Sequence, residues 1–183
     1  MKIGLLFGSF NPIHIGHIAI ARYMAEQTDL DQVWLVVSPH NPLKEKRSLV
    51  DAEKRYISVK KAIGRNSTIK VSKVEFSLPQ PSYTINTLEV LKKKYPQNKF
   101  VLIIGTDNLK IFNKWKDYKK ILKTFELYVY PRRTKIPDKD LSRLYNYQNA
   151  TYFNAPRIDI SSTFIREQMK KGKDVRYFLP NKW

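Results

Sequence analysis

Lys2-Ile-Gly-Leu-Leu-Phe7 runs straight into Gly8-Ser-Phe-Asn-Pro-Ile-His-Ile-Gly-His17, and the reading of this stretch decides the fold. The first six residues form a short apolar run that Gly8 ends, the pattern of a buried strand. From His17 to Gln27 the apolar positions Ile18, Ala21 and Ala25 fall on one helical face. A strand, a glycine-bearing loop and a helix thus follow one another. Gly8 permits a tight exit from the strand, and Pro12 stiffens the loop. His14 and His17 are three residues apart, so at a helix start they share one side. Gly16, between them, removes a side chain where a backbone or a phosphate could come close. Two imidazoles beside the unpaired N–H groups of a helix N-terminus make an anion site, suited to charge developing on phosphorus. Spacing alone also fits a metal pair or two structural histidines.

Outward from this unit the same alternation continues. Val33 to Val37 and Phe100 to Ile104 read as buried strands, Ile69 to Phe76 as an alternating strand, Glu126 to Tyr130 and Thr151 to Phe153 as shorter ones. Helices are expected from Asp51 to Ile63, from Ser82 or Thr84 to Lys94, from Trp115 to Lys123, and from Thr163 to Lys171 with Ser161 or Ser162 as cap. Residues 132–149 are polar and carry no clear period. Alternating strands and helices predict one α/β domain over residues 1–183, a doubly wound parallel sheet with helices on both faces. Phosphates bind at the first strand-to-helix turn of such a sheet.

Composition narrows the function less. Thirty-four Lys and Arg against sixteen Asp and Glu give +18, an excess that attracts phosphates of some kind. With no cysteine there is neither a disulfide framework nor a thiolate metal site. The apolar run before Gly8 is too short for a signal-peptide core or a membrane helix, so no membrane partner and a cytoplasmic location are expected.

A second segment, Ile160-Ser-Ser-Thr-Phe-Ile-Arg166, bears on the site. Its hydroxyls can cap a helix while backbone amides face a ligand, and Arg166, one turn in beside Thr163, offers a fork of donors to phosphate oxygens. His14-Ile-Gly-His17 resembles the H-x-G-H signature shared by class I aminoacyl-tRNA synthetases and small nucleotidyltransferases. The longer string from Gly8 resembles the nucleotidyltransferases, and Ile160–Arg166 is similar to the I-S-S-T-x-[IV]-R motif of adenylyltransferases that use ATP. Ser82-Tyr-Thr-Ile-Asn-Thr-Leu88 and Gly105-Thr-Asp-Asn-Leu109, followed by Phe112 and Trp115, are similar to segments of nicotinate-nucleotide adenylyltransferases.

That resemblance, carried by four motifs over nearly the whole chain, implies a Rossmann-like fold and transfer of AMP from ATP to nicotinate mononucleotide. It implies His14 at the α-phosphate, with His17, Ser161, Thr163 and Arg166 at the β- and γ-phosphates. Gly8, Ser9, Phe10, Gly16, Gly105, Asp107, Ile160 and Ser162 complete the ATP side. Asp107 would lie near the ribose and a Mg²⁺ ion bridged by the phosphates, with no other protein ligand expected. Lys44, Tyr83, Thr84, Trp115 and Arg132 are expected on the mononucleotide side, with Thr84 and the backbone around Trp115 at the carboxylate. The chain departs from the family pattern at Phe7, Asn11, His40–Lys44 and Tyr130–Arg133.

Other readings compete. Pantetheine-phosphate adenylyltransferases share both end motifs but lack the Ser-Tyr-Thr helix and the Trp loop. Nicotinamide mononucleotide is a further acceptor. Clusters such as Lys92–Lys94 and Lys170, Lys171 and Lys173 fit a nucleic-acid-binding protein, although no recognised RNA- or DNA-binding motif appears and none is expected as partner. A homo-oligomer is compatible with the sequence.

Overall fold

The computed structural model describes residues 1–40, 49–132 and 147–180. In chain order the elements are β1 (Lys2–Gly8), α1 (Ile15–Glu26), β2 (Gln32–Val37), α2 (Ala52–Ile63), β3 (Ile69–Ser72) and α3 (Thr84–Lys94). They continue with β4 (Lys99–Gly105), α4 (Thr106–Leu109), α5 (Tyr118–Thr124), β5 (Glu126–Tyr130), β6 (Ala150–Tyr152) and α6 (Ser162–Lys170). All six strands are parallel, in the order β3-β2-β1-β4-β5-β6. The strand order therefore reverses between β1 and β4, and ligands of such sheets sit beyond the strand ends at that point.

The two-residue period of each strand divides the core. Leu6, Val101, Ile103 and Tyr128 pack on one face with Ile20, Ala21 and Met24 of α1 and Val59 of α2. Ile3, Leu5, Phe100, Leu102, Ile104 and Leu127 pack on the other with Ile85, Leu88 and Leu91 of α3 and Ile121 of α5. Each such side chain taken fully out of water contributes about 1.5–3 kcal/mol. The expected two-sided parallel sheet is what forms.

Local expectations fail in two places. The strand expected over Ile69–Phe76 ends at Ser72, and Val74–Ser77 form a 3₁₀ turn. The turn brings Glu75 inward, where it accepts a bond from the Thr87 hydroxyl at 2.8 Å, so a tertiary contact overrides the alternating pattern. The helix expected from Trp115 begins at Tyr118; Phe112–Lys114 form a 3₁₀ turn, which leaves Trp115 in an extended link. Helix α3 begins at Thr84, one of the two expected starts, and its N-cap residue Tyr83 makes no side-chain bond there. Lys44, Arg133 and most of the 132–149 stretch lie outside the described residues.

Candidate active site

Helix α1 starts two residues earlier than its apolar spacing suggests, with His14 as the extended N-cap residue. The His14 backbone N–H donates to Nδ1 of His17 at 3.3 Å. In a neutral His17 ring that bond leaves the proton on Nε2. The two rings stack at 3.7 Å, and the Phe10 ring meets His17 edge-on at 4.9 Å. A Cβ on Gly16 would press against the His14 ring and Ile158. Gly16 therefore makes room for the His14 imidazole, and it is not among the residues lining the cleft described below. His14 is 1% exposed. Burial, helped by the Arg132 charge, pushes its imidazole down to about 4, so it is neutral at pH 7.

The opposite wall comes from the far end of the chain. Ser161 caps α6 by accepting from the Phe164 N–H at 3.1 Å. Ser162 Oγ donates to the Pro12 carbonyl at 2.9 Å, and Arg166 Nη1 to the Asn11 carbonyl at 2.7 Å. Arg166 Nη2 also donates to Thr163 Oγ1 at 3.2 Å. Arg166 thus clamps α6 onto the loop between β1 and α1. The N-termini of α1 and α6 consequently face one cleft of about 350 Å³, lined by Gly8, Ser9, Phe10, His14, His17, Asp107, Arg132, Ser161, Ser162, Thr163 and Arg166. Ile160 stands behind it, its carbonyl 3.5 Å from Arg132 Nη1.

Arg132 enters this cleft after β5, held by a reciprocal pair of bonds between its backbone N–H and Thr106 Oγ1, and between Thr106 Oγ1 and its carbonyl. Its Nε lies 3.8 Å from Asp107 Oδ2. The sequence reading set Arg132 on the mononucleotide side; in the fold its side chain belongs to the histidine cleft. Gly105 is needed here because a Cβ would collide with Asp107 Oδ1 and Arg132 Cγ. Among the described residues no group of three or more His, Asp or Glu is placed to hold a metal. Asp107 Oδ1 is buried without a partner in the cleft. One such carboxylate suits Mg²⁺, which takes its other ligands from water and substrate phosphates.

A second cavity, about 310 Å³, adjoins the first and shares Leu6, Phe7, Gly8, Asn108 and Tyr130 with it. Its far side carries Tyr83 and Thr84 at the uncapped start of α3, together with Lys114, Trp115 and Lys116. Trp115 rests on Phe112 at 5.2 Å, and the Lys116 ammonium sits 4.6 Å over the Tyr83 ring. Glu75 closes the back of this cavity at 1% exposure. Burial raises its carboxyl above the usual range, although the hydroxyls of Thr87, Ser38 and Ser82 oppose the shift.

Among the described residues, five buried side-chain polar atoms have no partner: Ser9 Oγ, His14 Nδ1, Glu75 Oε2, Asp107 Oδ1 and Trp115 Nε1. Every one belongs to a residue lining one of these two cavities. Such atoms are costly to leave unpaired and mark a place built for something polar. Sequence reasoning missed Glu75, Asn108 and the two lysines around Trp115. It also missed Arg55, although that arginine lies four residues before Val59 on the buried stripe of α2, a position where a charge is out of place.

Comparison with known proteins agrees with this fold. The model of the cytidylyltransferase-like family matches residues 5–168. A Flavobacterium johnsoniae protein named "Probable nicotinate-nucleotide adenylyltransferase" is 50% identical over 182 residues, covering 100% of this chain and 93% of the relative. A protein of the same name from Cytophaga hutchinsonii is 51% identical over 179 residues, covering 98% and 91%. The solved nicotinic acid mononucleotide adenylyltransferase of Plasmodium falciparum, complexed with NaAD, superposes with a TM-score of 0.79 at 19% identity, covering 96% of this chain and 87% of that one. At that identity the superposition speaks for the fold alone.

Proposed function

Because the chain belongs to the cytidylyltransferase-like family and sides with its nicotinate-nucleotide adenylyltransferases, we propose that it transfers AMP from ATP to nicotinate mononucleotide, forming deamido-NAD and pyrophosphate. The observation that carries the proposal is the confinement of the unpartnered buried polar atoms to two adjoining cavities at the switch between β1 and β4. Two cavities meeting at Gly8 suit two phosphorylated substrates whose reacting groups must meet.

In the reaction an oxygen of the mononucleotide phosphate bonds to the α-phosphorus of ATP. The bond to the bridging oxygen breaks in line, and pyrophosphate leaves with that oxygen's electron pair. No covalent enzyme intermediate is needed, so positioning and charge stabilisation supply the rate. His14, neutral at pH 7, serves as a hydrogen-bonding group at the α-phosphate rather than as a fixed cation. The positive contributions come from Arg132, Arg166 and the N-terminal amides of α1 and α6. Asp107 would hold a Mg²⁺ ion, which would supply positive charge to offset that building on the leaving pyrophosphate. On the acceptor side the uncapped N–H groups of α3 suit a carboxylate, and Trp115 offers a flat face to a pyridine ring. The cytoplasm, where both substrates occur, is the proposed location.

The deciding experiment incubates the protein with ATP, Mg²⁺ and, separately, nicotinate mononucleotide, nicotinamide mononucleotide or phosphopantetheine, then identifies the dinucleotide by mass. Deamido-NAD as the main product is expected. A faster reaction with either of the other acceptors refutes the assignment.

A further inference from the structure

Arg55 is the most buried lysine or arginine of the described structure, at 3% exposure, and among the described residues its hydrogen-bond partners are all backbone carbonyls. Nε donates to Val50 at 2.8 Å, Nη1 to Ser9 at 2.5 Å and Ser38 at 2.9 Å, and Nη2 to Pro39 at 2.9 Å. Asp51 acts on it only through its field, and burial lowers its pKa. A buried cation without a bonded counter-ion among the described residues costs the fold free energy that an apolar side chain on this stripe would spare. The compensation lies in what the fork joins.

Ser9 belongs to the loop after β1 and lines the histidine cleft. Ser38 follows β2 and lines the second cavity, while Val50 leads into α2. One planar guanidinium therefore ties together three chain segments that frame both cavities. A second bond, from the Val50 N–H to Asn11 Oδ1 at 3.4 Å, joins two of the same segments. Lysine, with one nitrogen and no planar fork, cannot make these four bonds.

We propose that Arg55 is a positioning residue for adenylyl transfer: it sets the loops after β1 and β2 in register, so that the two substrates meet in line, without touching either. The proposal rests on the adenylyl-transfer reading above. Misplacement of reacting groups by about 1 Å costs roughly a hundredfold in rate, so loosening this hub should be visible in kcat.

The test compares Arg55→Lys and Arg55→Met with Val59→Ala, a core truncation in the same helix that removes no side-chain hydrogen bond. Each protein is assayed for kcat and for KM of ATP and of nicotinate mononucleotide, at a temperature where circular dichroism shows full folding. Both Arg55 variants should lose about tenfold or more in kcat and show raised KM for both substrates. Val59→Ala should stay within about twofold on every parameter despite a comparable fall in Tm. Wild-type-like kinetics in folded Arg55→Lys, or equal kinetic losses in Val59→Ala, overturn the proposal. So does failure of Arg55→Lys to fold under conditions where Val59→Ala folds, since the role would then be structural. Absence of dinucleotide from the unaltered protein would instead overturn the adenylyl-transfer reading, and this proposal with it.

Discussion

Acidification should destabilise this protein through His14, by an amount the structure sets. The imidazole is pushed down to about 4 in the fold from its ordinary 6.5, because burial and the neighbouring Arg132 disfavour its charged form. A histidine with a lowered folded-state pKa contributes stability that is present above pH 6.5 and lost as the pH falls toward 4, since only the unfolded chain takes up the proton in that window. Each pH unit inside the window is worth about 1.4 kcal/mol, so moving from pH 7 to pH 5 removes about 2 kcal/mol. For a chain of this size that is a fall in Tm of about 4–8 °C. The assay is urea or thermal unfolding followed by circular dichroism at pH 7, 6 and 5, on the unaltered protein and on His14→Gln. Glu75, whose carboxyl is raised by burial, contributes in the opposite sense, but it is common to both proteins and cancels in the difference. The unaltered protein should lose about 2 kcal/mol more than the variant between pH 7 and 5. Parallel curves for the two proteins would show that His14 is not held neutral by its surroundings, and the role assigned to it as an uncharged hydrogen-bonding group would fall.

Three further outcomes are expected. Gly105→Ala, which pushes a methyl group into Asp107 and Arg132, should lower kcat by about a hundredfold while leaving far-ultraviolet circular dichroism unchanged; kcat near the unaltered value would mean that the cleft tolerates their displacement. Trp115→Ala should raise KM for nicotinate mononucleotide by about tenfold with KM for ATP little changed, because the indole lines only the second cavity; a rise confined to ATP would reverse the assignment of the two cavities. The ratio of kcat/KM for nicotinate over nicotinamide mononucleotide should exceed about a hundredfold, since a carboxamide presents N–H groups to the uncapped start of α3; equal values would rule out carboxylate selection there.

Much of this molecule is written in local sequence. β1, its loop and α1 are contiguous, so the run Lys2–Phe7, the glycine and the histidine pair can be read as strand, turn and helix start from neighbours alone. Ser161 capping α6 is equally local, because the bond spans three residues. The alternation of strand and helix is enough for a parallel two-sided sheet, since parallel strands need crossovers and crossovers cover faces.

What the tertiary structure alone decided are the meetings between distant segments. That Ser162 and Arg166 bond the Pro12 and Asn11 carbonyls depends on the order β1-β4-β5-β6, which no local pattern contains. Arg132 joined the histidine cleft because Thr106, twenty-six positions away in sequence, fixes its backbone. Glu75 turned a readable strand into a 3₁₀ turn by its bond to Thr87, and Arg55, on the buried side of α2, holds carbonyls of three separate segments. Periodicity reports which face of an element is buried. It does not report which polar atoms will be waiting there, because those belong to parts of the chain that only folding brings near.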